Sequence, residues 1–214
     1  SLVGSEMCIR DSSSFGADTI PAFVNYVEGI YVGYKFYETA AAEGLIDYDK
    51  TVVYPFGRGL SYTTFTQTLN SVTEADGTIT VDVTVTNTGS ASGKEVVEVY
   101  YNPPYTNGGI EKASANLIGF AKTSELAPGA SENVTVTFKA EDMASYDTYG
   151  KGCYVLEKGD YVISINADSH TVLDSKVYNV ASDIVYDASN KRESDVEVAD
   201  NKFDFAEGNV TYLS

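Results

Sequence analysis

From residue 66 onward, apolar side chains in this 214-residue chain recur at every second position. In TITVDVTVTNTG, Ile79, Val81, Val83 and Val85 fall on one face, and Thr80, Asp82, Thr84 and Thr86 on the other. A period of two is that of an extended strand with one face in a core and one in water. The same alternation sets Val97, Val99 and Tyr101 against Val96, Glu98 and Tyr100, and Val134, Val136 and Phe138 against Asn133, Thr135, Thr137 and Lys139. Tyr161, Ile163 and Ile165 share a face of GDYVISIN, and TQTLNSV, NLIGFAKTSEL and HTVLDSKVYNV read as further strands. Turn residues separate these runs: Asp76-Gly77, Asn102-Pro103-Pro104, Asn107-Gly108-Gly109, Pro128-Gly129 and Lys158-Gly159-Asp160. About seven short strands so punctuated predict a mainly β protein, an antiparallel sandwich of roughly 100 residues, with a barrel as the alternative. Thr-rich faces opposite the apolar ones favour the sandwich.

Before the strands the pattern differs. In residues 22–44, Phe23, Val27, Ile30, Tyr34 and Tyr37 lie at helical spacing, which predicts a short mixed helix and loop segment with a packed Tyr-rich stripe. Gly29 and Gly33 interrupt it, each costing about 1 kcal/mol inside a helix. Residues 51–65, TVVYPFGRGLSYTTF, are a loop marked by Pro55, Gly57 and Gly59 that runs into strand-like sequence. The opening SLVGSEMCIRDS resembles translated sequencing-adapter sequence of the kind that begins some metagenome-derived chains; the alternative is a native tail. Residues 1–12, with Cys8, are set aside in reasoning about the fold. Residues 181–214 are acidic and weakly periodic, and read as a linker with a few docked aromatics, Phe203, Phe205 and Tyr212.

Composition excludes several classes of function. With 31 acidic residues against 14 Lys and Arg the net charge is −17, and no basic cluster exists to meet nucleic-acid phosphates. The apolar runs are far shorter than the ~20 residues of a membrane helix, and the first ten residues lack the pattern of a signal peptide. Two Cys and one His give neither a disulfide framework nor metal-ligand spacing, so no metal and no cofactor is expected. Cys153 reads as a small buried apolar side chain in a strand, with no base nearby to activate it. His170 follows Asp168 and Ser169, but three consecutive residues do not make a catalytic triad; it reads as a turn histidine. The stretch Glu74–Gly77 is too short for a calcium loop. The glycosylation sequons at Asn133 and Asn209 lie in strand-like and linker sequence and read as chance matches.

Two stretches carry a family likeness. VEGIYVGYKFYETAAAEG followed by YPFGRGLSYTTF resembles the end of the α/β sandwich domain of glycoside hydrolase family 3, leading into that family's fibronectin type III-like domain. GKEVVEVYY, ANLIGFAKTSELAPGASENVTVTF, EDMASYD and KGDYVISI resemble successive strands of that accessory domain. The likeness spans roughly Phe23 to Tyr178, and Arg58 stands where many relatives carry His or Tyr. FDFAEGNVTYLS resembles the join in members with swapped domain order, where the catalytic barrel follows the fibronectin-like domain. The resemblance implies an immunoglobulin/fibronectin type III-like sandwich. It also implies four regions: 1–12 as above, 13–60 a remnant of the α/β sandwich domain with a junction loop, 61–180 the fibronectin-like domain, and 181–214 a linker toward a missing barrel.

A retaining glycosidase uses two carboxylates about 5 Å apart. The resemblance places the nucleophile, an Asp usually followed by Trp, on the barrel, and the acid/base Glu upstream in the sandwich domain. This chain has no Trp, and neither catalytic residue is carried onto it. The expectation is therefore a scaffold portion of a β-glucosidase-like enzyme, with the missing sandwich and barrel domains as partners and carbohydrate met only through the parent. The candidate domain-junction contacts are Glu28, Tyr34, Arg58 and Tyr62. A stand-alone carbohydrate-binding or adhesion sandwich is the alternative, with Tyr100, Tyr101 and Tyr105 as its stacking residues. A third reading is a partner-binding module that exposes the Tyr26–Tyr37 stripe.

Overall fold

A computed structural model describes residues 29–195. Glu28, Phe23, Val27, Cys8, Phe203, Phe205, Asn209 and Tyr212 lie outside the described residues.

The described residues begin with a turn, then form helix α1 (Tyr34–Ala42), the single turn α2 (Tyr48–Thr51) and ten strands. These are β1 (Phe65–Ala75), β2 (Thr78–Asn87), β3 (Val96–Asn102), β4 (Asn116–Lys122), β5 (Ser131–Lys139), β6 (Ser145–Tyr146), β7 (Tyr154–Leu156), β8 (Gly159–Asn166), β9 (Val172–Val180) and β10 (Ile184–Tyr186). One sheet has the order β1-β2-β5 and the other β4-β3-β8-β9, all antiparallel; a small third sheet has the order β10-β7-β6.

The predicted alternation is the core. Ile79, Val81, Val83 and Val85 meet Val97, Val99, Tyr161, Ile163 and Ile165, all fully out of water, with Val134, Val136 and Phe138 beside them. Each such aliphatic side chain contributes roughly 1.5–3 kcal/mol on burial. The β1–β2 hairpin turns on Asp76 and Gly77, both at positive φ (50° and 74°), the pair of left-handed residues that matches the twist of two strands.

Three local differences from the sequence reading have physical causes. Helix α1 starts only after Gly33, because Gly29 (φ 58°) and Gly33 (φ 62°) take left-handed conformations that a right-handed helix cannot include. Ile30, expected on the helical stripe, therefore sits in the preceding turn and is exposed. Cys153 lies one residue before β7 rather than in a strand; it is buried as expected, and burial raises its thiol pKa. Within the acidic tail, Ile184–Tyr186 pairs with β7 and Tyr186 joins the core, while Arg192 stacks 3.6 Å over the Tyr154 ring and binds both carboxylate oxygens of Asp195.

Candidate functional site: a latched junction segment

Alternate residues of a strand face opposite ways, so the neighbours of the core positions on β3 and β8 should look into water. They do not. Tyr100, Ser164 and Asn166 are 1%, 7% and 2% exposed. Residues 34–57 cover this outer face of the four-stranded sheet.

Tyr34 is the first anchor. Its ring stacks on Phe56 with centroids 4.6 Å apart, and meets Tyr100 edge-on at 6.2 Å. Its hydroxyl accepts from the Leu117 backbone N–H at 2.9 Å. Tyr100 in turn donates to Glu98 Oε2 at 2.9 Å. Gly57, at φ 84°, lies so close to the Glu98 carboxylate that a Cβ there would overlap it. Burial, with the nearby Asp168 charge adding to it, raises the Glu98 pKa above the ordinary carboxyl value. Burial also raises the pKa of the Tyr34 and Tyr100 hydroxyls, which stay neutral.

Glu38 is the second anchor, one helical turn from Tyr34. It is 7% exposed and takes three donors. Tyr48 and Ser169 hydroxyls donate to its Oε1 at 2.6 and 2.7 Å, and the His170 Nδ1–H donates to Oε2 at 2.8 Å. The His170 ring stacks flat on Tyr48, centroids 3.6 Å apart and planes 6° apart. The Ser169 backbone N–H donates to the Phe56 carbonyl at 2.8 Å, and Thr39 Oγ1 accepts from the Ser114 backbone N–H at 3.0 Å. The turn after β8 is thus fastened to both ends of the covering segment. His170 occupies the expected turn; its partner, 132 residues away in sequence, had no local signal.

Asp168 is the other buried carboxylate of this cluster. Its Oδ1 accepts from the backbone N–H groups of His170 and Thr171 at 3.1 and 2.7 Å. Both acids of the cluster are thus held by hydrogen bonds that shape the turn. A cavity of about 420 Å3 beside α1 and α2 is lined by Tyr34, Tyr37, Tyr48, Val53, Tyr54 and Phe56 among others, and by neither acid.

Beyond these anchors the segment faces outward. Val53, Tyr54, Leu60 and Tyr62 are 80%, 74%, 96% and 102% exposed. The Arg58 guanidinium lies 5.7 Å from the Tyr54 ring centre. Of the junction candidates, then, Tyr34 binds segment to sheet, while Arg58 and Tyr62 stand on the outward strip. Of the stripe expected to face a partner, Ile30 is exposed while Tyr34 and Tyr37 are half-buried; Val32 and Phe36, within the same stretch but off the stripe, are exposed.

A three-stranded sheet against a four-stranded one, in this strand order, defines a fibronectin type III-like sandwich. Residues 95–169 match the family model for the fibronectin type III-like domain. β-Glucosidase A of Butyrivibrio fibrisolvens is 42% identical over 157 residues, which are 65% of this chain and 18% of that protein. The β-glucosidase of Kluyveromyces marxianus is 33% identical over 176 residues, 78% of this chain and 20% of that protein. The solved structure of β-glucosidase 3B from Thermotoga neapolitana in complex with α-D-glucose superposes with a TM-score of 0.67 at 34% identity, covering 81% of this chain and 23% of that one. The chain is homologous to part of the glycoside hydrolase family 3 β-glucosidases and carries their fibronectin type III-like domain. It spans about a fifth of the length of the two curated relatives named.

Proposed function

We propose that this chain is the scaffold portion of a family 3 β-glucosidase-like enzyme, and that the whole enzyme hydrolyses terminal β-glycosides by a retaining mechanism. In this reading the chain supplies neither reacting carboxylate. Residues 13–60 close off an α/β sandwich domain, 61–180 brace it, and 181–214 lead to a catalytic barrel. The observation that carries the reading is the strip of Val53, Tyr54, Leu60 and Tyr62: four large, exposed side chains within ten residues, next to a segment fixed to the sheet by Tyr34 and Glu38. A rigid apolar strip on an acidic protein is what a domain interface needs. Glu38 and Asp168, the two acids buried among the described residues, accept hydrogen bonds from Tyr48, Ser169, His170 and the 170–171 backbone, which suits a structural role.

The test is an assay of the purified chain with a chromogenic β-glucoside. Release at the uncatalysed rate is expected. Turnover that disappears in Glu38→Gln would overturn the reading. Sequencing the gene on both sides is a second check, and α/β sandwich sequence before and barrel sequence after are expected. The alternative of a stand-alone sugar-binding face loses two of its stacking residues, because Tyr100 is buried and Tyr101 packs against Tyr161 inside the sandwich.

A further inference from the structure

A second cavity, of about 370 Å3, opens where the end of α1 meets the β3–β4 loop, on the side of α1 away from the exposed strip. Its lining includes Tyr31 and Tyr105, together with Asn102, Asn107 and Glu43. Tyr105 is 44% exposed, and Asn102, Asn107 and Glu43 are exposed as well. Among the described residues no hydrogen bond engages the side chains of Asn102, Asn107 or Glu43.

The loop that carries these groups is held firmly. Lys112, whose side chain is 3% exposed, donates from Nζ to the Pro104 carbonyl at 2.6 Å and pairs with Glu157. Gly109 N–H closes a turn on the Thr106 carbonyl at 2.9 Å, and Asn116 Nδ2 donates to the Ala113 carbonyl at 2.7 Å. The Tyr31 hydroxyl donates to Glu111 Oε2 at 2.5 Å, which fixes that ring against the loop. A site built this way loses little freedom when a ligand enters.

The chemistry of the walls selects the ligand class. Among the described lining residues the one cation, Lys112, is already paired with Glu157, and the chain carries a net charge of −17, so an anion is disfavoured. Two aromatic side chains in the lining can offer apolar area to the C–H side of a sugar ring, while two amides donate to and accept from its hydroxyls and a carboxylate accepts from them. The volume suits one or two sugar rings. We propose that this cavity is an accessory saccharide-binding site for neutral mono- or disaccharides, with Tyr105 and Asn107 as its principal contacts. The proposal is independent of the scaffold reading, since it concerns a different face.

The test is saturation-transfer NMR and calorimetry of the full chain with cellobiose, with tetramethylammonium as a second probe. Cellobiose should bind with a Kd of about 1–10 mM, as expected for a shallow polar site. Tyr105→Ala and Asn107→Ala should each weaken it at least about tenfold, a loss of about 1.4 kcal/mol. Tyr149→Ala, at a fully exposed ring elsewhere, should leave it unchanged. Far-UV circular dichroism of the variants checks that they are folded. Absence of saturation transfer at the highest concentration, binding indifferent to Tyr105 and Asn107, or binding of tetramethylammonium in place of the sugar would each overturn the proposal.

Discussion

Glu38 shows how much depends on a single side chain. A carboxylate placed almost out of water is tolerable when it accepts several hydrogen bonds, and Tyr48, Ser169 and His170 supply three. Glu38→Ala would leave three donors without an acceptor, and should cost about 3 kcal/mol. The cost falls on the covering segment: hydrogen exchange should accelerate in the amides of α1 while those of β2 and β8 keep their protection. Uniform acceleration across both regions would show that the segment and sandwich do not separate. Glu98 carries the opposite expectation. Its folded pKa is raised by burial and by Asp168, so it favours the folded state below the ordinary carboxyl pKa and loses that contribution as pH rises through the folded value. At neutral pH the ionised group is therefore a liability. Glu98→Gln removes it and sets an amide donor next to Asn166, its cross-strand neighbour, whose Oδ1 is buried without a partner. Thermal melts should show Glu98→Gln more stable by roughly 1–3 °C at pH 7, with the gain vanishing near pH 3.5. Neither role was legible in sequence. Glu38, Tyr48 and Ser169 carry no motif, and their bonds span up to 132 positions, so only the fold brings them together.

Elements were far more legible than contacts. Every strand of the two facing sheets had announced itself by a period of two or by flanking turn residues, because burial of one face fixes both pattern and register. The small third sheet left no periodic signal, because β6, β7 and β10 are two or three residues long; β6 was marked only by the likeness of EDMASYD to a family strand, β7 only by the strand reading of the adjoining Cys153, and β10 lay in the stretch read as linker. The start of α1 was misplaced for a different reason. The apolar spacing continues across Gly33, whereas the backbone does not, and side-chain periodicity is silent about φ. The hairpin turn offers a direct check of backbone control. Gly77 sits at φ 74° with no atom crowding its Cβ position, so Gly77→Ala is penalised by conformation alone. It should lower stability by about 1 kcal/mol by urea unfolding. Gly57→Ala at φ 84° meets both the conformational penalty and the Glu98 carboxylate, and should cost more than Gly77→Ala. Equal losses at the two sites would mean that the Glu98 contact contributes nothing.

At the scale of the whole molecule, two features oppose each other. A net charge of −17 keeps copies apart, while Leu60 and Tyr62 project nearly all of their apolar surface into water. Repulsion between exposed charges reaches about 30 Å at 0.01 M salt and about 8 Å at 0.15 M, whereas apolar attraction is not screened. Self-association should therefore be suppressed at low ionic strength and emerge as salt is added. Sedimentation velocity at a fixed protein concentration should show a monomer in 10 mM salt and a rising weight-average coefficient in 500 mM. Paired replacement by Leu60→Ser and Tyr62→Ser should hold the monomer at both, with thermal stability unchanged because neither side chain enters the core. If association is the same with and without those two side chains, the strip is not the adhesive surface. A partner domain would then have to be sought on another face, the first candidate being the turn before α1 and the exposed face of α1, where Val32 and Phe36 are also bare.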